Sequence, residues 1–173
     1  MTESDSPFAA SLDELGVTVT STDRAGVPAA IDEAVVEPAV GVSPGEEFAH
    51  GDFPLAEAGI DLDPTPAALE AATTGVSVAE LGIGDYGSLA LTSTGDGSEL
   101  VSLFVERHVA LLHEDDIAPD MDEAVETLEK TLARTRGSTI IATGPSATAD
   151  MGALVKGAHG PETVHVIVVE GGE

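Results

Sequence analysis

Three nearly unbroken apolar runs, Val109-Ala110-Leu111-Leu112, Thr139-Ile140-Ile141-Ala142 and Val166-Ile167-Val168-Val169, constrain this chain more than any other feature. Runs of this kind leave a strand no polar face, so each predicts a strand covered on both sides, as in a parallel sheet between layers. Helical patterns alternate with them. From Asp120 to Arg136, the residues Met121, Val125, Leu128 and Leu132 share one face, Asp120 and Glu123 make a capping-box-like start, and Gly137 supplies the stop. Upstream, the spacing predicts a helix over Phe8–Leu15, a strand over Val17–Thr20, a helix over Pro28–Val35 and a strand over Ala39–Val42. A Gly-, Pro- and acid-rich stretch from Ser43 to Pro64 reads as a long loop with one turn near Leu55–Glu57. Thr65-Pro66 then caps and opens a short helix to Ala72. Alternating strands and helices predict an α/β fold with a mainly parallel sheet. At 173 residues and 17.4 kDa the expectation is a flexible arm over 1–7 and a single domain over 8–173.

Charge narrows the function. Thirty-two acidic residues stand against six basic ones, a formal charge of −26. Nucleic acids are bound when Lys and Arg neutralise phosphates and release their counterions, and six such residues cannot supply a basic face; anionic membranes repel the chain for the same reason. The acids are spread along the chain, so the expected solvent is molar salt, where short screening lengths remove self-repulsion. No cysteine is present, which excludes disulfides, thiolate zinc, cysteine nucleophiles and a cluster held by this chain's thiolates. No apolar run approaches the ~20 residues of a membrane helix, and the acidic start Met1–Asp5 is unlike a signal peptide, so a cytoplasmic location is expected. No His pair has zinc spacing, no G-x-S-x-G elbow occurs, and neither a metal nor a cofactor is expected.

Gly82-Ile83-Gly84-Asp85-Tyr86-Gly87 has the form G-x-G-x-x-G, but Ser88–Thr92 after it is strand-like, so it reads as a turn between strands and not as a dinucleotide loop. Glu80 before it reads either as a site carboxylate or as a solvated acid. Thr143-Gly144-Pro145-Ser146-Ala147-Thr148-Ala149-Asp150 leaves the carboxyl end of a predicted strand and is expected to lead into a short helix over Met151–Val155. Helix-start N–H groups with the Ser146 and Thr148 hydroxyls would form an anion pocket without Arg or Lys; the same hydroxyls would equally serve as helix caps. His159-Gly160-Pro161 lies in the next loop, where His159 could exchange a proton across a cleft. His108, His113 and His165 sit on or beside apolar strands and read as core or edge residues.

Taken together, the segment Thr143–Asp150, then Gly157-Ala158-His159-Gly160-Pro161 and the terminal strand His165–Val168, resemble the LUD domain of the lactate utilisation protein C family. Ala79-Glu80, Gly87-Ser88-Leu89 and the strand-borne His108 extend the resemblance, which covers roughly residues 75–170. It implies a Rossmann-like three-layer sandwich akin to CoA transferases and ribose-5-phosphate isomerase. It also implies a role in oxidising L-lactate to pyruvate beside iron–sulfur partner subunits. Ala147 stands where the family commonly has Arg or Lys, Gly152 where it commonly has Glu, and Val105 where it commonly has Pro. The expectation is therefore an accessory subunit binding a small anion. Thr143, Gly144, Pro145, Ser146, Thr148 and Gly160 would hold it, Asp150 would orient it or accept a proton, His159 would exchange one, and Glu80 would line the opposite wall. Two alternatives remain: a stand-alone isomerase or CoA-transferase-type enzyme using Glu80 or Asp150, and a non-catalytic scaffold. A homo-oligomer is compatible with each.

Overall fold

The structure, a computed structural model, describes residues 6–43, 53–93, 97–135, 137–150 and 153–171. The arm expected over 1–7 thus lies largely outside the described residues. In chain order the elements begin with α1 (Pro7–Glu14), β1 (Thr18–Thr22), α2 (Val27–Ala34), β2 (Ala39–Gly41), α3 (Pro66–Ala71), β3 (Thr74–Val78), β4 (Leu81–Ile83) and β5 (Ser88–Thr92). They continue with α4 (Ser98–Leu103), β6 (Arg107–His113), β7 (Ile117–Ala118), α5 (Met121–Thr135), β8 (Thr139–Thr143), β9 (Ala147–Asp150), β10 (Ala153–Lys156) and β11 (Thr163–Val169). Thr65 caps α3 as its sequence predicts, its Oγ1 accepting from the Ala68 N–H at 3.2 Å.

A five-stranded sheet in the order β1-β11-β6-β3-β2 forms the centre, and every pairing in it is parallel. The α/β class with a mainly parallel sheet therefore holds. Alternation along each strand sends two apolar sets to opposite faces. On one face Val76, Val78, Val109, Leu111, Ile167 and Val169 pack under α2 and the turn at Leu55. On the other, Ala110, Leu112, Val166 and Val168 meet Phe8 and Leu12 of α1 and Leu89 and Leu91 of β5.

That second face differs from the expectation. A four-stranded sheet, β7-β4-β5-β8, covers it together with α1, and α5 packs on this sheet through Ala124 and Leu128, not on the parallel one. The run Thr139–Ala142 accordingly belongs to an edge strand, β8, antiparallel to β5, and Ile141 is exposed. Within Gly82–Gly87, Gly82 and Ile83 belong to β4 and Gly84–Gly87 turn the chain into the antiparallel β5, the turn between strands that its surroundings predict.

Among the described residues no helix follows Thr143–Asp150. The segment forms a hairpin instead, β9 pairing antiparallel with β10 from Asp150↔Ala153 to Ala147↔Lys156; Met151 and Gly152 lie outside the described residues. A five-residue helix has scarcely one turn of hydrogen bonds, whereas cross-strand pairing satisfies the backbone of both halves and suits the β-branched pair Thr148 and Val155.

Candidate functional site

The loops before β9 and before β11 are stitched together by main-chain bonds. The Ser146 N–H donates to the Pro161 carbonyl at 2.8 Å, and the Gly157 N–H donates to the Ser146 carbonyl at 3.0 Å. A Cβ on Gly160 would stand 3.2 Å from that of Ser146, so a side chain there would press the loops apart. Gly144 turns the first loop with φ +65°, a left-handed conformation that favours glycine, and lies against Leu15. Between the loops opens a cleft of about 370 Å³. Its apolar wall is Leu91, Leu103, Ile140 and Ile141; its polar groups are Ser102, His108, Thr143, Ser146 and His159. Among the described residues no Lys or Arg lines it.

The cleft opens at the amino ends of the parallel strands, since His108 is the second residue of β6 and His159–Pro161 precede β11. Expectation placed the pocket at a carboxyl rim, with helix N–H groups as anion donors. Both parts are corrected: Thr143 ends a strand of the second sheet, and the Ser146 N–H is already given to Pro161.

Of the residues singled out in the sequence, Thr143, Gly144, Pro145, Ser146, His159 and Gly160 meet here. Ser146 Oγ carries no hydrogen bond among the described residues, whereas Thr143 Oγ1 is paired with Ser88 Oγ at 2.7 Å. His159 is exposed, on the partition between this cleft and a neighbouring hollow of about 490 Å³ lined by Phe104, Val105, Glu106 and Glu162. Thr148 does not line the cleft, and the Asp150 side chain lies outside the described part of the structure. Glu80 is elsewhere. It accepts from Thr92 Oγ1–H, and Thr92 sits opposite Thr139, four residues or about 13 Å along the ladder from Ser88 and Thr143.

His108 is the residue that local reading missed. It is 2% exposed yet lines the cleft, and its Nε2 lies 2.8 Å from Ser77 Oγ on the adjacent strand. Burial lowers its pKa from 6.5 to about 4, because a charged imidazole there would lose its hydration. His165 is also held low, by burial and then by Arg107, but it faces Thr20 away from the cleft. Between pH 6.5 and 4 the unfolded chain protonates the residue at position 108 and the folded chain does not, so acid withdraws stability. Against His108→Phe, the native protein should lose up to about 3 kcal/mol as pH falls from 6.5 to 4, read as the difference between two urea-unfolding series. Parallel pH profiles would refute the assignment.

Among the described residues no cluster of three or more His, Asp or Glu side chains could hold a metal, and no helix is long and apolar enough to cross a membrane. Residues 54–169 match the family model of the LUD domain. The chain is 29% identical over 168 residues to "Lactate utilization protein C" of Deinococcus radiodurans, covering 90% of this chain and 74% of that protein. It is 34% identical over 107 residues to the protein of the same name from Bacillus licheniformis, covering 58% of this chain. With the Oceanobacillus iheyensis protein of that name the match is 29% over 105 residues, again 58% of this chain. The chain spans less than half the length of these last two relatives, 44% and 45%. The crystal structure of a DUF162 family protein from Deinococcus radiodurans superimposes with a TM-score of 0.71 over 94% of each chain at 23% identity, a likeness of fold.

Proposed function

The chain belongs to the LUD domain family, and from that premise we propose that it serves lactate utilisation as an accessory protein, taking a small carboxylate of the lactate and pyruvate class into the cleft between the loops at 143–147 and 159–161. Oxidising lactate to pyruvate releases two electrons and two protons. These 173 residues contain no cysteine, so thiolate-held clusters would reside on iron–sulfur partner subunits, and this chain's part is to bind and orient.

One observation carries the reading: the Ser146 and His159–Pro161 loops are bonded to each other beside a cleft lined by both apolar and polar side chains. A methyl group suits Leu91 and Ile140, and oxygen atoms suit Ser146 Oγ and the His159 imidazole. The expected partner of a carboxylate is thus a hydroxyl and an imidazole, in place of the cation that Ala147 does not provide.

Pyruvate and L-lactate should raise the unfolding temperature of the protein in molar KCl. Ser146→Ala and His159→Ala should each weaken that binding about tenfold or more, the effect of losing one hydrogen bond to a charged group, with the unliganded melting curve unchanged. Unaltered ligand shifts in both variants would discard the cleft as the site. Co-purification of an iron–sulfur protein from its native cytoplasm tests the partner; recovery of the chain alone at high salt would argue against it.

A further inference from the structure

The Ser77 hydroxyl is 1% exposed and has one hydrogen-bond partner, His108 Nε2. A sealed hydroxyl proton without an acceptor is costly, and no acceptor other than this nitrogen bonds Ser77 among the described residues. The Ser77 O–H therefore donates to Nε2, which makes Nε2 the lone-pair nitrogen and leaves the ring proton on Nδ1. No described residue bonds Nδ1. Nor is that atom sealed in: among the described side chains, the buried polar atom without any partner is Glu99 Oε2. Nδ1 thus keeps some of the exposure that His108 has, and the residue lines the cleft.

We propose that His108 presents its Nδ1–H to the cleft as a fixed, neutral hydrogen-bond donor for a carboxylate or 2-oxo oxygen of the ligand, with Ser77 as the positioning residue that sets the tautomer. This rests on the reading of the cleft as a carboxylate site and deepens it, because the donor is built into the parallel sheet and not into a loop. Register brings it about: Gly75 lies opposite His108 and Ser77 two residues further along β3, so the adjacent strand supplies the hydroxyl that meets Nε2. The nitrogen is donor-only. Where the 2-substituent is the group it meets, a 2-oxo acid satisfies it with a bare oxygen, whereas a 2-hydroxy acid must turn its hydroxyl proton to another acceptor, and pyruvate should then bind more tightly than L-lactate.

Long-range ¹H–¹⁵N spectra of the histidine-labelled full chain in molar KCl test this, with pyruvate, L-lactate and formate as probes. The expected result is the Nδ1–H tautomer at position 108, a shift of that nitrogen on adding pyruvate, and about tenfold weaker pyruvate binding in His108→Phe. His108→Asn, which keeps an amide donor near the Nδ1 position, should recover part of the loss. Ser77→Ala, a small change that retains the ring, should remove the tautomer preference and weaken binding without changing the unliganded fold. An Nε2–H tautomer, or pyruvate binding in His108→Phe equal to that of the native protein, overturns the donor while leaving the carboxylate cleft in place. A shift with formate but with neither pyruvate nor lactate keeps the donor and rejects the lactate assignment. No shift with any probe overturns the donor.

Discussion

Gly75→Ala should fail to give a stable fold. Gly75 lies inside β3, paired on one side with Val40 and on the other with His108. A Cβ there would stand 1.8 Å from the carbonyl oxygen of Val101 and 2.8 Å from its carbonyl carbon. These are main-chain atoms of α4, so no rotamer change relieves the contact; the helix itself must lift from the sheet. Doing so opens the cluster of Val40, Val42, Val101 and Val105 and displaces Ser102 and Leu103 from the cleft wall. Overpacking of side chains alone costs about 1–3 kcal/mol, and a clash against backbone belongs at or above the upper end, a large share of the ~5–15 kcal/mol that holds a domain together. Gly59→Ala is the control. Gly59 has φ +70° but nothing within 4 Å of its added Cβ, so only conformational strain of about 1 kcal/mol is expected. Urea unfolding of both in molar KCl distinguishes space from conformation. A Gly75→Ala protein within 1 kcal/mol of the native one would show that α4 does not sit where the structure has it.

The same glycine shows why part of the fold is hidden in the sequence. Val109–Leu112 and Val166–Val169 announce central strands because both of their faces are covered by apolar layers, and β6 and β11 are those strands. β3 is just as buried, but Gly75 and Ser77 interrupt its apolar pattern: one makes room for a helix, the other holds a histidine. Thr139–Ala142 misleads in the opposite sense. Its apolar residues belong to an edge strand, where Ile140 and Ile141 form the wall of a cleft instead of a core, and composition does not separate those two fates. Of the site, the Gly- and Pro-bearing loops at 143–146 and 159–161 were legible, since turn chemistry is local. His108 was not. Its place in the cleft depends on β6 lying between β3 and β11 and on α4 ending beside it, which is topology and not spacing. Glu80 illustrates the converse: an acid two residues past β3 is drawn off by the Thr92 hydroxyl of the second sheet, a pairing that no pattern along the chain encodes.

Raising KCl from 0.1 to 2 M should raise the unfolding midpoint by about 10 °C. With −26 charges on 9275 Å² of surface, one excess charge falls on about 360 Å², and neighbours stand about 19 Å apart. Two such charges repel by only about 0.2 kcal/mol in water without salt. With a screening length of ~10 Å at 0.1 M this drops to about 0.03 kcal/mol, but six neighbours around each charge make roughly 80 pairs, for a total near 3 kcal/mol. At molar salt the screening length is ~3 Å and the total vanishes. An expanded unfolded chain spreads its charges and feels little of either, so most of the difference is a gain for the folded state. Each kcal/mol moves the midpoint of a domain this size by about 2–4 °C, which gives the figure above. Below 0.1 M the length approaches 30 Å and the repulsion grows several-fold, enough to rival a domain's whole stability. Calorimetry at 0.05, 0.1, 0.5 and 2 M KCl measures this directly. Because screening saturates, most of the rise should come below 1 M; a midpoint that is flat over this range, or that climbs only above it, would assign the acidity a role other than tolerance of salt.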